Sequence, residues 1–241
     1  GSSWVTLSHD GRFVAFESRA SNLDGIDTND LRDAFVRDRL AGTTRRLSID
    51  PPTPLAWPSG VFGTSISADG STVAFGAGNY LAPQNEVYVG TEWPPLENTR
   101  QWGFIVPQSL SADGNLVLFD ADGELYSELY VRDRAAGTTV QIDDGVPVGD
   151  AQAQSISGDG RLVAFRAGTQ DTTDGSAQMA LYVHDRADGS VSLASRTPDG
   201  TAPDGSSTWA RFTDAGDLVF ESAGTDLVTD DANGSDDIFI L

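Results

Sequence analysis

Short apolar runs recur along the chain, each introduced by the same polar turn. Leu7-Ser8-His9-Asp10-Gly11 precedes Phe13-Val14-Ala15-Phe16, and Ile66-Ser67-Ala68-Asp69-Gly70 precedes Val73-Ala74-Phe75. Leu110-Ser111-Ala112-Asp113-Gly114 precedes Leu116-Val117-Leu118-Phe119, and Ile156-Ser157-Gly158-Asp159-Gly160 precedes Leu162-Val163-Ala164-Phe165. A weaker copy, Phe212-Thr213-Asp214-Ala215-Gly216, leads into Leu218-Val219-Phe220. After a gap of varying length comes a second run: Ala34-Phe35-Val36, Val87-Tyr88-Val89, Leu129-Tyr130-Val131, Leu181-Tyr182-Val183 and Ile238-Phe239-Ile240. Three of these enter near-identical tight turns, at 38–43, 133–138 and 185–190, and then a further alternating strand, as over 44–49.

The runs are short, β-branched and aromatic, which predicts strands. Asp-Gly suits a hairpin because glycine accepts positive φ and aspartate bonds nearby backbone N–H groups. Each unit therefore reads strand A, Asp-Gly turn, strand B, variable gap, strand C, tight turn, strand D. No segment reads as a helix. A lone unit of this size cannot bury both of its faces, but a ring of them can. The prediction is all-β: a single β-propeller domain over 1–241 of about five four-stranded blades, at approximately 4–50, 62–106, 107–143, 153–196 and 208–241. The last blade lacks its outer strand in this chain, and the residues before Trp4 are too few to supply it. In the second blade Glu92-Trp93-Pro94-Pro95-Leu96 replaces the usual tight turn.

The phrase Ser-x-Asp-Gly-Arg-x-apolar-Ala-Phe at 8–16 and 157–165, with Leu-Tyr-Val-x-Asp-Arg at 181–186, resembles the TolB-like propeller repeat. The resemblance runs along essentially the whole chain. It implies a non-enzymatic binding role, in bacteria usually outside the cytoplasm, without naming a partner.

Strands alternate in direction, so A–B and C–D turns share one face and B–C and D–A loops share the other. The first face is repetitive. The second carries the length variation, in B–C loops at 19–33, 168–180 and 223–236 and D–A loops at 50–62, 143–153 and 197–208. Binding tends to reside on variable loops held by a rigid scaffold, which assigns recognition of a protein or peptide to this face. Trp57 and Phe62 in a Pro-rich D–A loop and Tyr80 in a B–C loop read as aromatics that stack on sugars or fill partner pockets; the alternative is a plug over the core. A carbohydrate-binding module is thus the second reading. Arg211 aligns with Thr6, Ser65, Ser109 and Ser155, a cation among hydroxyls and a candidate anion-binding point.

Two acidic loops align without a gap, placing Asp27, Asn29 and Asp33 on Asp231, Asn233 and Asp237. Oxygen donors in this spacing suit a hard cation such as Ca²⁺. The alternative is an Asx-rich turn entering strand C. The fourth blade's loop offers Ala177 at the third of these positions, so a metal is not required by the fold in every blade.

The formal net charge of −21 argues against nucleic acid and anionic membranes as partners. No apolar run approaches the roughly 18 residues of a membrane helix. All basic residues are Arg and Cys is absent, which removes disulfides and thiolate chemistry. His9 and His184 fall at positions held by unrelated residues in the other repeats, so neither reads as catalytic or zinc-binding. The repeated Asp38-Arg39, Asp133-Arg134 and Asp185-Arg186 pairs read as structural. An Asp-dependent lyase or glycosidase is the remaining enzymatic alternative, with too many acidic residues to single out a pair. Gly1-Ser2-Ser3 reads as an expression scar without a leader. The expectation is a monomeric domain of a larger extracellular or periplasmic protein.

Overall fold

The computed structural model describes residues 1–25, 30–48, 60–77, 86–89, 105–122, 127–143, 151–168, 178–229, 231 and 233–241. Among these the chain forms strands and no helix, arranged in successive antiparallel meanders. Sheet one holds β1 (Ser2–Leu7), β2 (Phe13–Ser18), β3 (Asp33–Asp38) and β4 (Thr43–Arg46). Sheet two holds β5 (Val61–Ile66), β6 (Val73–Ala77) and β7 (Glu86–Val89). Sheet three holds β8 (Ile105–Leu110), β9 (Leu116–Asp122), β10 (Ser127–Asp133) and β11 (Thr138–Gln141). Sheet four holds β12 (Gln152–Ile156), β13 (Leu162–Gly168), β14 (Met179–Asp185) and β15 (Ser190–Leu193). Sheet five holds β16 (Ser207–Phe212), β17 (Leu218–Ser222) and β18 (Asp237–Ile240), and stops at three strands.

The first strand of each sheet starts one or two residues earlier than the apolar pattern predicts. The cause is a register shift in each of them, between Ser3 and Thr6, Phe62 and Thr64, Pro107 and Ser109, Ala153 and Ser155, and Thr208 and Arg211. Such a bulge breaks the alternation without ending the strand.

The turn between the first two strands is built four times from the same bonds. Ser8, Ser67, Ser111 and Ser157 donate Oγ–H to Asp10, Asp69, Asp113 and Asp159 at 2.7, 2.7, 2.6 and 2.6 Å. The same hydroxyls accept the N–H of Phe13, Thr72, Leu116 and Leu162 at 2.9–3.0 Å. Arg39, Arg134 and Arg186 donate from the other turn of their sheet to Gly11, Gly114 and Gly160 carbonyls. The repeated Asp-Arg pairs thus knit the two turns of one sheet together.

Four buried apolar clusters lie between consecutive sheets: one and two, two and three, three and four, four and five. Each sheet contributes a phenylalanine from its second strand. Phe16, Phe119, Phe165 and Phe220 stack on Phe35, Tyr130, Tyr182 and Phe239 across the strand pair at 5.5–5.7 Å. A backbone relay also joins the sheets: His9 N–H donates to Ala68, Ala68 to Ala112, and Ala112 to Gly158, at 2.8, 3.1 and 2.9 Å. Between sheets five and one the contact is made by side chains, His9 Nδ1 lying 2.8 Å from Asp214 Oδ2. Among the described residues no apolar cluster spans that junction.

Candidate functional site

The topology puts the B–C and D–A loops on one face, and the described parts of these loops are pinned to one another. Between sheets one and two Val61 donates its N–H to the Arg32 carbonyl at 2.7 Å. Gly60 permits this approach: it sits at φ +78°, and a Cβ there would lie 2.6 Å from the same carbonyl. Beneath this junction Glu17 is fully buried and receives Arg32 Nη1 at 3.2 Å and Ser3 Oγ at 3.5 Å. Burial pushes its carboxyl from 4.5 up to about 7, only partly opposed by Arg32. The corresponding Asp120 in sheet three is better supplied, accepting Ala153 N–H and Gln108 Nε2 at 2.7 Å each. In sheet five Asp204 accepts Thr225 N–H at 2.7 Å and Thr225 Oγ1–H at 2.6 Å, while Asp226 accepts Asp204 N–H at 3.1 Å. The Thr225 hydroxyl holds the Asp204 carboxyl below its usual range.

The two acidic loops differ. Asp27 and Asn29 lie outside the described residues. Asp33 is buried, takes a hydrogen bond from Ser48 Oγ and lies 3.5 Å from Arg46, which also stands 3.7 Å from Asp24. In sheet five Asp231, Asn233 and Asp237 do come together. Asn233 accepts Ser235 N–H at 2.6 Å and donates Nδ2–H to Asp237 at 3.2 Å, while Asp231 accepts Asn233 N–H at 3.3 Å. All three border an open hollow with Val228, Thr229 and Ile238. Among the described residues no three His, Asp or Glu side chains converge as a metal-binding group.

Phe62 is not the exposed loop aromatic the sequence suggests. It is the second residue of β5, pairs with Gly76 and is only 3% exposed, because the strand begins before the bulge. Trp57 and Tyr80 lie outside the described residues. Arg211 reaches back to the carbonyl of Gln154 at 2.5 Å and to that of Ala210 at 2.8 Å. Its neighbours in the alignment, Ser109 and Ser155, instead accept the N–H of Ile156 and Phe212 from the next sheet at 3.3 Å, which a guanidinium cannot do. His184 places Nδ1 2.9 Å from the Ile142 carbonyl and is a packing residue between sheets three and four.

Three features escaped the sequence reading: the buried Glu17, the Asp204–Thr225–Asp226 staple and the His9–Asp214 contact. For the first a signal exists, since the residue after the repeated Phe is acidic in Glu17, Asp120 and Glu221.

No family model matches the chain, and no curated protein does. Solved structures do. The chain superposes on TolB from Acinetobacter baumannii with a TM-score of 0.59 at 17% identity, over 94% of this chain and 52% of that one. On the putative TolB from Agrobacterium tumefaciens the TM-score is 0.61 at 17% identity, over 95% and 72%. The fold is that of the TolB-like propellers. The chain spans about half the length of the Acinetobacter protein. It is also similar to oligogalacturonate lyase from Vibrio parahaemolyticus, with a TM-score of 0.61 at 14% identity, over 98% of this chain and 64% of that one.

Proposed function

We propose that this TolB-like propeller is a non-catalytic recognition module that binds a protein or peptide through its B–C/D–A loop face. The carrying observation is the pinning of neighbouring loop segments on this face, among the described residues, by Asp204, Thr225 and Asp226 and by the Val61–Arg32 bond. On this reading the ring comprises about five blades, with His9 and Asp214 meeting where the first and last adjoin, and the protein works outside the cytoplasm. Peptides selected by display against the whole chain test the proposal. Binders should lose affinity on Thr225→Arg and keep it on Leu40→Arg, which alters the opposite face. Selection of turn-face binders alone overturns it. The lyase likeness gives the enzymatic alternative a direct assay: oligogalacturonate incubated with the protein should be recovered uncleaved.

Ca²⁺ is proposed as a secondary ligand of the sheet-five loop, supported by Asp231, Asn233 and Asp237 bordering one hollow. A melting temperature raised by Ca²⁺ over EDTA, with no rise in Asp231→Ala, is the expected result. Equal melting in both conditions rejects it.

A further inference from the structure

Glu17 lies in the middle of sheet one, its backbone paired to Ser3 on β1 and to Ala34 on β3. Its side chain shares a face with Ala34, which packs against sheet two, and it is fully buried. Outside it lies Arg32, which donates Nη1–H to Oε2 at 3.2 Å and is itself 36% exposed. The same residue closes a backbone seam between the sheets. Its carbonyl accepts Val61 N–H at 2.7 Å, joining the B–C loop at 19–33 to the D–A loop at 50–62.

The cluster is built for a neutral acid. Oε2 takes Arg32 and Ser3, while Oε1 is enclosed and makes no hydrogen bond among the described residues. A proton on Oε1 leaves both Oε2 bonds in place, because the other oxygen of a neutral acid still accepts. A buried anion with one oxygen lacking a donor is expensive. Asp120, the corresponding residue of sheet three, has a donor on each oxygen, from Gln108 Nε2 and Ala153 N–H. Arg32 and the Gly63 N–H of β5 favour the Glu17 anion, but burial outweighs them and the carboxyl titrates near 7. Asp33, Arg46 and Asp24 are charged neighbours at this end of sheet one. Asp33 pairs with Ser18, one step along from the Glu17–Ala34 pair, so this group turns to the opposite face.

We propose that the Arg32–Val61 seam is gated by a proton: it stays closed over neutral Glu17 and opens when Glu17 ionises, so that water reaches the carboxylate. β2 is fixed between two strands, which leaves the Arg32 side as the exit. A state in which Glu17 is hydrated has an ordinary carboxyl, so rising pH favours it over the closed state. Opening frees one sector of the loop face. The gate belongs to the fold itself and does not depend on a partner at that face.

Amide hydrogen exchange of the whole chain, followed by NMR between pH 5 and 8 and corrected for the intrinsic rate, tests the gate. Val61 should be less protected than the most protected core amides of sheets three and four. Its protection should fall about tenfold or more over this range, toward a ceiling of about seventyfold for a carboxyl moving between 4.5 and about 7. In Glu17→Gln, which cannot ionise, it should be constant. Gly60→Ala should hold the seam open, since a Cβ there would lie 2.6 Å from the Arg32 carbonyl oxygen. The Glu17 carboxyl should then titrate near its ordinary 4.5. Constant protection in the parent, a fall that persists in Glu17→Gln, or exchange of Val61 only together with the core amides overturns the proposal. So does a Glu17 midpoint that stays near 7 in Gly60→Ala.

Discussion

The carboxylates of the turn face and Glu17, beneath the loop face, are handled in opposite ways. On the turn face Asp10, Asp113 and Asp159 are each held below the ordinary carboxylate range by a serine hydroxyl and then a backbone N–H, and at Asp69 the Ser71 N–H leads. Arg12 and Arg161 hold Asp38 and Asp185 down to about 2. Those groups are stabilised as anions by donors two or three residues away or across one strand pair. Beneath the loop face Glu17 is buried with Arg32 and Ser3 as side-chain donors, and burial raises its carboxyl. A repeated, local solution makes a scaffold. A one-off, long-range arrangement marks a place where the fold tolerates tension.

The largest effect that would sharpen this contrast is at Glu17. Its native carboxyl titrates near 7 against 4.5 unfolded, so between these values the native state binds the extra proton. Stability therefore falls as pH rises from 4.5 through 7, and the full cost of the buried anion is present above 7. The interval from 4.5 to about 7 corresponds to on the order of 3 kcal/mol. Glu17→Gln should flatten the pH dependence of urea unfolding and stabilise the protein at pH 8, less whatever the Arg32 contact contributes. An unchanged slope would mean that Glu17 is hydrated in solution.

Next in size is Ser111→Ala on the turn face. It removes the hydroxyl that donates to Asp113 and strands the buried Leu116 N–H. A loss of about 1–3 kcal/mol is expected in chemical unfolding, with no pH dependence near neutrality. A smaller loss, about 1 kcal/mol, is expected for Thr225→Val, which removes one hydroxyl bond to Asp204. Hydrogen exchange should then speed up locally at 204–206 and 223–226; a global acceleration would refute the view of this staple as a local device. Smallest is Arg161→Ala. The Asp185 pair it breaks is exposed, and the melting temperature should stay within measurement scatter.

The same contrast explains what could be read beforehand. The turn face was legible because its bonds join residues two or five apart, Ser8 to Asp10 and Phe13 to Ser8, so the residue types alone announce them. The loop face was not. Arg32 meets Glu17 across 15 positions, and Asp33 is engaged by Arg46 and Ser48 from another strand. No local pattern records those meetings. Phe62 was misplaced because the bulge at Gly63 interrupts the alternation that would have put it inside a strand. The His9 contact has no signal within a single repeat, because Asp214 occupies the same turn position in the repeat at the far end of the array.

The relay from His9 through Ala68 and Ala112 to Gly158 uses only main-chain groups at one turn position. A sheet gained or lost by duplication or deletion of a whole repeat would meet the same donor on one side and the same acceptor on the other. Nothing in that handshake depends on side-chain identity. Propellers built this way are open to change in size by copying, with new ligand specificity carried in on the loops of the inserted unit while the hub stays unaltered.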